Sequence, residues 1–245
     1  MKAIILVAGY ATRLYPLTEN TPKALLKLGD ETILDFLMKK LEKVESVNDV
    51  YLVSNHKFAK TFEDWAEKSD YRFNIKVLDD GTSTNETRLG AIGDIQFAIE
   101  KEKIDDDIMV LVSDNYFSFE LSDFYNFGKE KNSDVVLGTK FDDLEYLSKN
   151  FGVAVLDKND RVVEMVEKPG KVISDTGIYA SYIYKKDTVP MFKKYLDEGN
   201  SHDAPGNFVA WLCKRKPVYC YKFKGECFDI GTHEIYNKLC SRFEK

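Results

Sequence analysis

The first 23 residues set the tightest limit on the fold. An apolar run from Met1 to Val7 leads straight into Ala8-Gly9-Tyr10-Ala11-Thr12-Arg13-Leu14, and Pro22-Lys23 follows. An apolar run that ends in a small-residue turn reads as a buried strand feeding a loop. Such a loop can turn backbone N–H groups toward an anion, and Arg13 and Lys23 add positive charge that the turn alone does not supply. The opening segment therefore predicts an α/β fold with a phosphate-binding edge.

The rest of the chain extends this pattern. Short apolar runs recur at Ala3–Val7, Val50–Ser54, Ile75–Leu78 and Ile108–Val112, separated by segments with the three- and four-residue spacing of helices. Ile33 to Leu41 and Leu89 to Ile99 both read as helices. Strand-to-helix loops gather at the carboxyl edge of a parallel sheet, so the Gly9–Arg13 turn and the segment after Val112 should border one cleft. In the second half, Asp134–Thr139, Gly152–Leu156, Arg161–Glu167 and Thr176–Tyr184 are β-like, with a hairpin turn at Asp157-Lys158-Asn159-Asp160. Pro190–Leu196, Phe208–Cys213 and His233–Phe243 read as helices and Val218–Phe223 as a strand, so the sheet is mixed. With no repeat or linker, residues 1–245 form one domain, softly divided near residue 125 into halves of about 1–125 and about 126–245.

Composition narrows the partners. A chain of 245 residues, 44% hydrophobic, can bury a full core. A net charge of −6 argues against a general nucleic-acid or anionic-membrane binder, since both are held by basic surface. No apolar stretch approaches the ~20 residues of a membrane span, and the opening run is short for a signal peptide, so the expected location is cytoplasmic. Cys213, Cys220, Cys227 and Cys240 contain no Cys-x-x-Cys pair and are read as reduced and mostly buried. His56, His202 and His233 are too dispersed for a metal site.

Three further segments carry chemistry. Asp114 follows the apolar run Met109-Val110-Leu111-Val112-Ser113, where a carboxylate can hold Mg²⁺; the same acid can also cap a turn or helix. Asp229, in Phe228-Asp229-Ile230-Gly231-Thr232, can be a second metal carboxylate, while Thr232 caps the helix that follows. In Met165-Val166-Glu167-Lys168-Pro169 a strand ends at a lysine, because Pro169 stops the ladder.

Taken together, Ala8-Gly9-Tyr10-Ala11-Thr12-Arg13-Leu14, Pro22-Lys23, Ser113-Asp114-Asn115, Glu167-Lys168-Pro169 and Asp229-Ile230-Gly231-Thr232 resemble the sugar-1-phosphate nucleotidylyltransferase family, in order and spacing, over nearly the whole chain. The nearest type is the glucose-1-phosphate thymidylyltransferase-like nucleoside-diphosphate-sugar pyrophosphorylases, without the C-terminal β-helix that some members append. The resemblance implies a Rossmann-like, GT-A-like α/β fold with a mixed central sheet flanked by helices. It implies attack by a sugar-1-phosphate oxygen on the α-phosphorus of a nucleoside triphosphate, releasing pyrophosphate, with Mg²⁺ as cofactor. Carried over by position, Arg13 holds the leaving phosphates, Lys23 the α-phosphate region, and Asp114 with Asp229 the metal. Ala8, Gly9, Ala11 and Thr12 meet the nucleotide, while Gly152, Glu167 and Lys168 bind the sugar phosphate. The partners are these two substrates, and homo-oligomerisation stays open.

Two departures from the family pattern stand out. Ala11 replaces a loop glycine, so a left-handed conformation there costs about 1 kcal/mol more and the loop is expected to be slightly reshaped. Asp175, in Asp175-Thr176-Gly177-Ile178-Tyr179, replaces an amide, which points to an acceptor with different hydroxyl placement or an amine. The base-reading region is expected at Asp80 to Gly90, with Asn85 and Arg88 as donors and Gly90 permitting close backbone approach; no single base follows from it. A CTP-dependent cytidylyltransferase acting on a non-sugar phosphate or phosphonate such as phosphocholine, and a catalytically silent nucleotide-sugar-binding subunit, are the alternative readings.

Overall fold

The computed structural model describes residues 1–243. In chain order the elements are β1 (Lys2–Leu6), β2 (Lys27–Leu28), β3 (Glu31–Thr32), α1 (Ile33–Glu42), β4 (Asp49–Ser54), α2 (His56–Lys68), β5 (Asn74–Asp79), α3 (Ala91–Glu102), β6 (Ile108–Val112) and β7 (Asn115–Phe117). They continue with α4 (Leu121–Lys131), β8 (Asp134–Lys140), α5 (Leu144–Asn150), β9 (Gly152–Leu156), β10 (Val162–Glu167), β11 (Thr176–Tyr184), α6 (Met191–Asp197), α7 (Gly206–Leu212), β12 (Val218–Lys222), β13 (Cys227–Asp229) and α8 (His233–Cys240). The chain divides into two compact units: residues 1–88, 112–122 and 225–245 form one, and residues 89–111 and 123–224 the other. The two units are interleaved along the chain.

In the first unit, β1 and β4 pair in parallel, Ile4 opposite Tyr51, and β4 pairs in parallel with β5, Leu52 opposite Val77. Ala3, Ile4, Ile5, Val50, Leu52 and Val53 are fully buried, which explains why β1 and β4 are continuous apolar runs rather than alternating ones. α1 starts with a capping box: the Thr32 hydroxyl accepts from the amide of Asp35 at 3.1 Å, and the Asp35 carboxylate accepts from the amide of Thr32 at 2.9 Å. Ile33, Leu34, Leu37, Met38 and Leu41 then form its buried face, each stabilising the fold by roughly 1.5–3 kcal/mol. α2, which the sequence pattern does not single out, is capped by Asn55 and packs against β5. A second cluster, Leu14, Leu26, Leu28, Ile33, Ile230 and Leu239, fastens the C-terminal segment to the early loops.

The second unit is mostly antiparallel. β9 and β10 form the hairpin expected around Asp157–Asp160, whose turn is held by the Asp157 carboxylate accepting from the amides of Asn159 and Arg161 at 2.8 and 3.0 Å. β11 pairs antiparallel with β6, β8 and β9, and β12 pairs in parallel with β8. α6 and α7 stack through Phe192 and Phe208, with ring centroids 3.8 Å apart, against Tyr184 of β11. α3 begins at Ala91, two residues later than the apolar spacing predicts, because Gly90 has a φ of 79° that no helix admits. α4 and α5 are further helices that the sequence pattern does not define. All four cysteines are free; Cys213 and Cys220 are buried, but Cys227 and Cys240 are only partly so.

Candidate active site

In the first unit the carboxyl ends of β1, β4 and β5 are stitched together. The amide of Val7 donates to Val53, the Asn55 carboxamide to the carbonyl of Ala8 at 2.7 Å, and the amide of Asp80 to Ser54 at 2.9 Å. The chain leaving β1 then takes a tight course. Ala11 adopts the left-handed conformation (φ 48°, ψ 42°), and its carbonyl accepts from the amide of Leu14 and the hydroxyl of Thr18 at 2.9 and 2.8 Å. The left-handed strain expected at this alanine is therefore present. Among the described residues, the backbone N–H groups of Gly9, Ala11, Thr12 and Arg13 donate to no protein acceptor. A side chain at Gly9 would meet nothing within 4 Å. An open turn with several uncommitted amides is what an oxyanion needs.

The charged residues converge on this turn. Ser113 donates its hydroxyl to the carbonyl of Leu6 at 3.1 Å, which sets the following Asp114 beside the end of β1. Lys23 Nζ lies 3.0 Å from Asp114 Oδ2. β7 and β13 pair with Asp229 opposite Asn115, and the amide of Ile230 donates to the carbonyl of Asp114 at 2.8 Å. The two acids thus stand one register step apart on adjoining strand ends. Burial first, and then the charges of both Asp114 and Asp229, push the Cys227 thiol well up, so both carboxylates bear on one sulfur. Arg13 reaches the same place: a Cβ on Gly231 would sit 3.1 Å from Arg13 Nη2 and 3.5 Å from Asp229 Oδ1. Thr232 caps α8 by accepting from the amide of Ile235 at 3.3 Å, as the sequence predicts. Asp114 pairs with Lys23 rather than capping a helix.

The second unit builds a different site. Glu167 lies directly across the β9–β10 ladder from Gly152. A Cβ on Gly152 would come within 2.9 Å of Glu167 Oε2, and a Cβ on Gly206 would collide with the same oxygen. Two glycines therefore make room for one carboxylate. Burial raises the Glu167 carboxyl above the usual glutamate range, with Lys168 opposing the shift. Lys168 itself is left-handed (φ 45°) and ends the strand. As a sequence, Asp203-Ala204-Pro205-Gly206 reads only as a turn entering a helix. The signal for Gly206 was a glycine at the first position of a helix, where a larger residue is ordinarily as good.

Other expected site residues are placed differently. The Asp175 carboxylate is bound by Lys140 Nζ at 2.9 Å and by the Thr176 hydroxyl at 3.1 Å, and the bond to Lys140 holds its carboxyl below the usual range. Gly90 gives close approach to the chain itself: a Cβ there would lie 2.5 Å from the carbonyl oxygen of His202 and 2.9 Å from Asp203 Cα. The carbonyls of Asp203 and His202 cap α3, accepting from the amides of Ala91 and Ile92 at 3.1 and 2.9 Å. Asn85 and Arg88 are exposed, with the Asn85 carbonyl accepting from the Arg88 guanidinium at 3.2 Å.

An α/β chain whose strand ends carry an anion-ready turn, two acids and two cations belongs to the class of proteins that handle phosphorylated nucleotides. The chain is a member of the nucleotidyl transferase family, whose model matches residues 2–245. It is 28% identical over 241 residues to a putative mannose-1-phosphate guanyltransferase of Sulfolobus acidocaldarius, covering 98% of this chain and 62% of that protein. It is 26% identical over 250 residues to a UTP–glucose-1-phosphate uridylyltransferase of Synechocystis, covering 96% and 61%. A bifunctional protein GlmU of Methanocaldococcus jannaschii is 28% identical over 231 residues, 94% of this chain and 51% of that one. The chain thus spans between half and about three-fifths of the length of these relatives. In fold it is similar to UDP-glucose pyrophosphorylase in its complex with UDP-glucose, with a TM-score of 0.85 at 18% identity, covering 99% of this chain and 97% of that one.

Proposed function

We propose that this chain transfers a nucleoside monophosphate from a nucleoside triphosphate to a sugar-1-phosphate, forming a nucleoside-diphosphate sugar and pyrophosphate. The observation that carries the reading is the convergence, in one compact unit, of the open Gly9–Arg13 turn, Lys23, and the adjoining acids Asp114 and Asp229. In this reading a phosphate oxygen of the sugar-1-phosphate forms a bond to the α-phosphorus as the bond to the bridging oxygen of pyrophosphate breaks. No protein group is modified. The residues bind, orient and neutralise: the turn amides and Arg13 take the β- and γ-phosphates, where charge develops, and Lys23 takes the α-phosphate. Glu167 in its glycine-lined niche accepts from sugar hydroxyls, and Lys168 takes the sugar's phosphate.

Mg²⁺ is satisfied by one or two protein carboxylates together with phosphate oxygens and water, and a two-acid donor set suits it. Asp114 and Asp229 would hold it, and when bound it supplies positive charge against the phosphates. The relatives named for guanylyl and uridylyl transfer to sugar phosphates support the acceptor class.

The test is pyrophosphate release from the common nucleoside triphosphates with Mg²⁺ and a panel of sugar-1-phosphates. Release that depends on both substrates is expected, and Asp114→Asn or Asp229→Asn should lower kcat by about a hundredfold or more with an unchanged fold. No release with any pair, or near-normal turnover in either variant, overturns the reading.

A further inference from the structure

Among the buried polar atoms of the first unit that have no partner among the described residues, two lie close together, on Asp80 and Thr82. Asp80, directly after β5, uses Oδ1 to accept from the amide of Thr82 at 2.7 Å, but its Oδ2 is buried and accepts from none of the described residues. Thr82 is 7% exposed, and its hydroxyl is likewise buried without a partner. A buried polar atom left unpaired is destabilising, by about 1–3 kcal/mol. Two of them only two positions apart call for a reason beyond folding.

Their place supplies one. The Tyr10 hydroxyl, on the anion-ready turn, donates to the carbonyl of Thr82 at 3.2 Å, and the amide of His56, at the start of α2, donates to the same carbonyl at 2.9 Å. Asp80 is itself bonded to the end of β4. The unpaired atoms therefore stand at the same carboxyl edge of the parallel strands as the turn, which is where ligands of such sheets lie. The Asp80 charge also bears on Tyr10. From Ser83 to Arg88 the chain is exposed, with Thr84 and Thr87 bonded to each other.

We infer that Asp80 Oδ2 and Thr82 Oγ1 read the nucleobase and select one whose pairing edge carries an exocyclic amino group, such as guanine or cytosine, over uracil or thymine. The inference deepens the proposed nucleotidyl transfer and rests on it. An ionised carboxylate only accepts hydrogen bonds, whereas a hydroxyl both donates and accepts. Guanine offers an N–H beside an amino group, and cytosine an amino group beside a ring nitrogen that the Thr82 hydroxyl can serve. Uracil and thymine flank their single N–H with two carbonyls, so a carboxylate facing that edge confronts a lone pair. A site that pairs with a substrate's donor group rejects strongly the analogue that lacks it, because its own acceptor is then left unpaired.

Calorimetry on the full chain with Mg²⁺ compares GTP, CTP, ATP, UTP and dTTP, with inorganic triphosphate as a base-free control. An amino-bearing nucleotide should bind at least tenfold more tightly than UTP and dTTP. Asp80→Asn, whose amide can donate to a carbonyl, should shrink that gap at least threefold. Thr82→Val should weaken the preferred nucleotide about tenfold while leaving inorganic triphosphate unchanged. Tightest binding of UTP or dTTP, or an unaltered ranking in Asp80→Asn, overturns the base selection while leaving the triphosphate site standing. Failure of every nucleotide and of inorganic triphosphate to bind overturns both readings.

Discussion

Single residues carry much of the chemistry through the strain and desolvation they tolerate. Ala11 accepts a left-handed conformation whose cost, about 1–2 kcal/mol, is borne by the bonds its carbonyl takes from Leu14 and Thr18. Glu167 is the clearest such case. Burial raises its carboxyl above the ordinary 4.5, so the folded chain takes up a proton at a higher pH than the unfolded chain does. Its destabilising effect is absent below the unfolded value, grows as the pH rises through the folded one, and is full above it. Glu167→Gln should therefore be more stable than the parent at neutral pH, with the gap closing as the pH falls toward 4. Denaturant melts across that range, with sugar-1-phosphate KM rising in the same variant, would show a carboxylate kept for binding at the expense of stability. Equal stability of both proteins at pH 7 would contradict this.

Elements are placed by a few buried anchors. Asp134 opens β8 with no exposed surface, accepting from the Thr188 hydroxyl at 2.9 and 2.8 Å, from the amide of Lys185 at 2.7 Å and from Lys216 at 3.1 Å. One carboxylate thus ties the start of β8 to the segment after β11 and to the lysine before β12. Removing one member of a buried ion pair leaves the other uncompensated and typically costs 3–5 kcal/mol. Because Lys216 keeps Asp187 at 2.9 Å, Asp134→Ala is expected at the lower end, about 3 kcal/mol by urea denaturation. KM for both substrates should be unchanged in the folded fraction. A loss below about 1 kcal/mol, the range of exposed pairs, would deny it this anchoring role.

Across the whole molecule, the proposed triphosphate residues belong to one compact unit and Gly152, Glu167 and Lys168 to the other. Lys23→Met should raise KM for the triphosphate more than for the sugar phosphate, and Lys168→Ala the reverse. Losing one charged hydrogen bond to phosphate corresponds to roughly tenfold or more. Initial-rate kinetics with each substrate varied in turn measure both, and parallel rises for both substrates in either variant would refute the division of labour.

Local pattern determined a good deal. The apolar runs marked β1, β4 and β6 because strands buried on both faces hold little else, and the three- and four-residue apolar spacing marked α1 because one helix face is buried. The Gly9–Arg13 turn, Asp114 and Asp229 were legible from their positions after or beside apolar strands. What the linear chain withheld was long-range. The C-terminal segment joins the first unit because Ile230 and Leu239 bury against Leu14 and Leu28. Gly90 serves His202, Asp175 is taken by Lys140, and Gly206 clears space for Glu167. Each of these depends on residues about 30 or more positions apart meeting at atomic distance, and only tertiary packing decides which side chain fills which space.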